Sequence, residues 1–135
     1  MPIIPWTNNF NVNVKEIDEQ HRIFLGLLNS LYEIMLEPES SQEIRDILHQ
    51  LITYTTFHFA TEERYFDKFN YEFSIEHKNE HKKLLSEVAE FSKRLDFEGD
   101  RIITELLNFL GDWLANHLGT QDKKYTKCFN EHGLF

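Results

Sequence analysis

The sequence predicts an all-α fold: an up-down-up-down antiparallel four-helix bundle with an extended N-terminal arm. Three observations predict it. Four segments carry apolar residues at the i, i+3, i+4, i+7 spacing of one helix face. No segment shows the alternating, β-branched pattern of a strand. The connections between segments are short, so each helix must run antiparallel to the one before it.

Residues 1–16, with Pro2, Pro5 and a run of Asn, hold no helical period and read as the arm, pinned to the body by Trp6 and Phe10. The first helix is expected over about 18–37, capped by Asp18, with Phe24, Leu27, Leu28, Leu31 and Met35 inward and Pro38 ending it. The second is expected over about 41–68, started by Ser40 and Glu43 at capping-box spacing. Its stripe runs through Ile44, Ile47, Leu48, Leu51, Tyr54 and Thr55 to His58 and Glu62. The third, about 74–95 and capped by Ser74, turns His77, His81, Leu84, Val88 and Phe91 inward. The fourth, about 100–118 and capped by Asp100, does the same with Ile103, Leu106, Leu107, Leu110, Trp113, Leu114, His117 and Leu118, and a continuation reaches about 131.

A chain of 135 residues can bury one hydrophobic core and not two, so a single domain over 1–135 is expected. With 41% apolar and 27% charged residues it falls among globular chains and not disordered ones. The net charge of −9, with basic residues clustered no further than Lys82-Lys83 and Lys123-Lys124, speaks against nucleic acid and against an anionic membrane surface as partners. The N-terminus lacks the basic start and apolar run of a signal peptide, and no stretch of about 18 apolar residues occurs, so a cytoplasmic protein is expected. The single cysteine, Cys128, is expected to be a small core residue and not a nucleophile.

The chemistry lies in the polar residues that interrupt the apolar stripes: His21, His58, Glu62, His77, His81 and His117, with Asp122 five residues after the last. They come from all four helices. His49 and His132 fall off the stripes and should face solvent. Buried charges are paired or bind metal, because an unpaired carboxylate in a low-dielectric core costs several kcal/mol. Imidazole and carboxylate suit first-row transition metals, and i, i+4 spacing puts His58 with Glu62, and His77 with His81, on one face. His117 and Asp122 would stand about 140° apart on a straight α-helix, so a π-type distortion is expected near 118–121. Two octahedral ions offer about twelve positions. Five imidazoles, two bridging carboxylates and one oxygen bridge fill eleven, which leaves one open position in an apolar pocket, suited to a small neutral diatomic.

"DEQHR" at 18–22, "HFATE" at 58–62, "HKNEH" at 77–81 and "HLGTQD" at 117–122 together resemble the hemerythrins, particularly the bacterial single-domain type, over nearly the whole chain. Myohemerythrin is one of the known up-down bundles. The resemblance implies reversible O2 binding at two iron ions (Fe2+/Fe3+) joined by an oxo or hydroxo bridge. By position, His77, His81 and His117 would hold one iron and His21 and His58 the other, with Glu62 and Asp122 bridging. Phe24, Phe59, Trp113, Leu114 and Leu118 match the O2 pocket, and Leu114 matches a gating position. Tyr125 is suggested as a neighbour of the site.

No residue outside this set is placed as an acid, base or nucleophile, so hydrolytic chemistry finds no candidates and the expectation is a binding protein for oxygen storage, delivery or sensing, not an enzyme. The competing readings use the same centre. They are a di-iron reductase of peroxide or nitric oxide, an O2 or redox sensor acting through a separate partner, and a zinc site. Histidine-rich ligation without Glu-x-x-His pairs favours reversible binding over oxygen activation.

Overall fold

The computed structural model describes residues 10–36, 41–98 and 101–135, apart from the side chains of 35, 41, 118 and 119. Four long helices follow one another, α1 (Lys15–Met35), α2 (Ser41–Phe69), α3 (Ser74–Glu98) and α4 (Ile102–Asn116). A π-helical turn (His117–Gln121) and a 3-10 turn (Asp122–Tyr125) then lead into a short α5 (Thr126–Glu131). Among the described residues there is no strand. Sequential helices pack on each other and α1 closes against α4, which makes the four-helix bundle the apolar stripes predict.

Several helix ends differ from expectation, each for a local reason. α1 starts at Lys15, so Asp18 is not its cap. Side chains on a helix point toward its N-terminus, and the Asp18 carboxylate reaches past the first turn to accept the Val12 N–H at 2.8 Å. Val14 is the capping residue by position and makes no side-chain cap bond. α2 ends where Asn70 turns left-handed at φ 51°, which lets the Tyr71 N–H reach the Phe66 carbonyl at 2.9 Å in a Schellman closure. α3 begins at Ser74 and continues to Glu98, three residues beyond expectation, and its last turn is tied by Arg94 Nε to Glu98 at 2.7 Å and by Asp96 to Arg45. α4 begins only at Ile102, after Arg101. Trp6, Pro38, Ser40 and Asp100 lie outside the described residues.

Two apolar clusters form. The larger fills the bundle with Leu28, Leu31, Ile44, Leu51, Leu84, Ile103, Leu106 and Leu110 among others, and Phe10 packs against it. The smaller lies where the arm meets α5 and joins Val12, Val14, Ile17, Phe66, Tyr71, Tyr125 and Phe129. At about 1.5–3 kcal/mol for each fully buried large apolar side chain, both clusters contribute substantially to stability. The arm and α5 are also tied by polar bonds, Thr126 Oγ1 donating to the Val12 carbonyl at 2.7 Å and Asn13 pairing with Asn130.

Candidate metal centre

Between the two clusters lies a layer of buried polar side chains. His21 is near the start of α1, His58 and Glu62 are in the later half of α2, His77 and His81 open α3, and His117 directly follows the last residue of α4. Antiparallel helices put those positions at one level of the bundle. All six are buried, as is Asp122.

Asp122 joins them through the backbone. The π turn begins at His117, one residue earlier than expected, and the Asp122 N–H bonds to the His117 carbonyl five residues back. The wider turn brings both side chains to one face, with His117 Nε2 2.7 Å from Asp122 Oδ1. The Thr120 hydroxyl donates to the Asn116 carbonyl beside this turn.

The seven side chains form two groups. Glu62, His77, His81 and His117 can each present a ligand atom within 4.8 Å of the others, as can His21, His58, Glu62 and Asp122. Glu62 belongs to both groups. Asp122 spans them too, one oxygen 3.2 Å from His21 Nε2 and the other 2.9 Å from His77 Nε2. The Nε2 atoms of His21 and His58 face each other at 3.0 Å, as do those of His77 and His117. Neighbouring ligands at about 2.1 Å from one octahedral ion stand ~3.0 Å apart, so the spacing fits a shared ion in each group. Glu62 Oε1, His81 Nε2 and both oxygens of Asp122 are buried without a hydrogen-bond partner, and a cation bound among them would satisfy all four.

On three of the five histidines the opposite ring nitrogen points outward to an acceptor, while His21 Nδ1 is buried without one. His58 Nδ1 donates to Gln20 Oε1 at 2.7 Å, His81 Nδ1 to Glu63 at 2.8 Å and His117 Nδ1 to Glu80 at 3.1 Å. Gln20 is held in turn by the Thr61 hydroxyl at 3.3 Å. With Nδ1 carrying the proton, the Nε2 lone pair faces the centre. Burial opposes charge on His117, yet Asp122 and Glu80 outweigh it and push its pKa up to about 10. Burial likewise opposes ionisation of Glu62 and Asp122, and Glu62 and Asp122 also repel each other. The imidazoles around them nevertheless hold both carboxyls well below the usual range. Burial, then these two carboxylates, drive the Tyr125 hydroxyl well upward, so it stays a donor, bonded to Glu62 Oε2 at 2.5 Å.

Against the two-histidine group lies a void of about 10 Å³ lined by Phe24, Thr55, Phe59, Trp113 and Leu114 together with His21, His58, His117 and Asp122. Four of the five expected pocket residues therefore line one void, and the side chain of Leu118 lies outside the described residues. Phe59 stacks on His81 at 3.6 Å and Trp113 on His117 at 4.2 Å, fixing both imidazole planes. His49 and His132 are exposed, and Cys128 is half-buried with its thiol pKa raised by burial. The sequence gives no role to Gln20, Glu63 and Glu80, and it puts Thr55 on the inner stripe of α2 without assigning it to the pocket. The available signal was an acid next to a ligand position in the sequence, Glu63 one residue after Glu62 and Glu80 one before His81.

The sequence profile of the hemerythrin HHE cation binding domain matches residues 12–128. Bacteriohemerythrin of Methylococcus capsulatus is 32% identical over 131 residues, covering 96% of this chain and 99% of that protein. Bacteriohemerythrin of Clostridium acetobutylicum is 31% identical over 124 residues, 89% of this chain and 96% of its own. A crystal structure of wild-type hemerythrin superposes with a TM-score of 0.86 at 31% identity, covering 93% of this chain and 97% of that one. No helix among the described residues is long and apolar enough to cross a membrane.

Proposed function

The chain belongs to the hemerythrin family of non-heme di-iron proteins, and from that premise we propose that it binds O2 reversibly, as a storage, delivery or sensing protein. His77, His81 and His117 would hold one iron and His21 and His58 the other, with the Glu62 and Asp122 carboxylates shared between the two groups. One observation carries this reading: two ligand groups share their carboxylates, and the apolar void sits against the group with fewer histidines. Two iron ions bound there would supply the electrons that reversible O2 binding needs.

The chain's own residues do the rest. Gln20, Glu63 and Glu80 hold His58, His81 and His117 in the tautomer whose Nε2 can ligate. Tyr125 fixes the second oxygen of Glu62. Phe24, Phe59, Trp113 and Leu114 keep water and its protons away from the bound ligand. Leu114→Ala opens that wall and is expected to speed autoxidation, so an unchanged rate would count against the role.

The deciding experiment takes an anaerobic, reduced, iron-counted sample, exposes it to O2 and flushes it with argon while its visible spectrum is followed. Two irons per chain and a charge-transfer band that fades on flushing support the proposal. Two irons with immediate, irreversible oxidation would overturn reversible binding, and turnover of peroxide or nitric oxide above free iron would then identify a reductase.

A further inference from the structure

A second void, also about 10 Å³, lies between α2, α3 and α4. Its walls are aliphatic, with Leu51, Leu84, Val88 and Leu110 buried and Ile52 and Leu85 half-buried, and one further residue, Thr55, completes it. Thr55 also lines the void at the two-histidine group. A single buried threonine thus stands between the two spaces.

The chemistry of the second void excludes water and admits apolar gas. A buried water needs two to four polar partners, and here the Thr55 hydroxyl would be the sole side-chain candidate. Empty apolar cavities stay dry and take up small nonpolar molecules. At about 10 Å³ the void stands at the lower limit for one small molecule, so a gas would enter with slight displacement of its aliphatic walls. Only the half-buried Ile52 and Leu85 stand on its outer side, so thermal motion of either side chain would connect it to solvent.

We propose that this void is a holding site for a small apolar gas, which exchanges with the metal-side pocket past Thr55. That the gas is O2 rests on the O2-binding function proposed above; the site itself does not. O2 would then cross the protein in two steps, from the surface between α2 and α3 into the dry void, and from there past Thr55 to the open metal position.

The test uses crystals of the metal-loaded protein pressurised with krypton, a gas close to O2 in size and visible by anomalous scattering. A peak bounded by Thr55, Leu84 and Val88 is expected, and its absence would overturn the site. Val88→Ile adds one carbon to the wall, and Leu85→Phe puts a larger aromatic side chain there from a half-buried position should the first variant fold poorly. Either is expected to lose the krypton peak and to slow O2 association and dissociation together, several-fold, with the affinity unchanged, because an access route affects both directions equally. A filled void with wild-type association and dissociation rates would overturn the route. If the loaded protein forms no O2 complex at all, the functional reading fails, while the krypton map still decides the void.

Discussion

Glu62 and Asp122 are fully buried carboxylates, and what surrounds each oxygen sets the behaviour of the centre. Tyr125→Phe removes the donor to Glu62 Oε2 and strands it. An unpaired buried acceptor costs about 1–3 kcal/mol, a loss that denaturant melts of the variant would register. Glu63→Ala frees His81 Nδ1 and is expected to weaken metal binding ~10–100-fold, measured by competition with a chelator. The titrations give the metal-free protein a distinct pH profile. His117 has a raised folded pKa, so its stabilisation is complete below its unfolded value of 6.5 and is lost as pH rises toward about 10. Glu62 and Asp122 have depressed values, so theirs is present above the unfolded values of 4.5 and 3.8 and is lost on acidification. Metal-free protein should therefore melt lower at about pH 9 than at about pH 6, while the loaded form, whose His117 Nε2 carries no proton, should not show that alkaline loss. Equal alkaline slopes for the two forms would contradict the assignment of His117.

The elements were legible in the sequence to the extent that burial is periodic. Phe24 to Leu31 and Leu106 to Leu114 mark their inner faces without ambiguity, and five histidines in line with the four apolar stripes marked the centre. The distortion after His117 was legible too, because five residues do not fit one face of an α-helix. Less was legible where a side chain acts off its own element. Asp18 looks like a cap and instead holds the arm, and Val12 and Val14 look like loop residues yet are buried against α5. Glu63 and Glu80 resemble the other surface acids, since the rotation of one helix against the next decides which acid meets a histidine. α5 carries one testable consequence. Phe129 stacks on Tyr125 at 4.4 Å and is fully buried, so Phe129→Ala should cost about 3–5 kcal/mol and loosen the hydroxyl at Glu62. A thermal melt of the loaded variant matching the original would show that α5 does not support the centre.

At the scale of the molecule, a polar layer is held between two apolar clusters, with side chains from α1, α2, α3 and the segment after α4 all meeting in it. Without a cation this layer keeps orphaned nitrogen and oxygen atoms that water cannot reach. Removing the metal by chelation should therefore lower the melting temperature markedly, and readdition of iron should restore it. Equal melting temperatures with and without metal would mean that the imidazole–carboxylate contacts alone hold the layer together.

The order of the ligands along the chain also bears on how the protein matures. The proposed ligand set opens at His21 and is completed only by Asp122, and Tyr125, which donates to Glu62, comes later still. A nascent chain emerging from the ribosome presents its histidines long before the carboxylate that joins the two groups. Iron captured at that stage would sit in a half-built, solvent-open cage. Loading that is faithful to the finished geometry therefore belongs after synthesis, when the last turns have folded back against the arm.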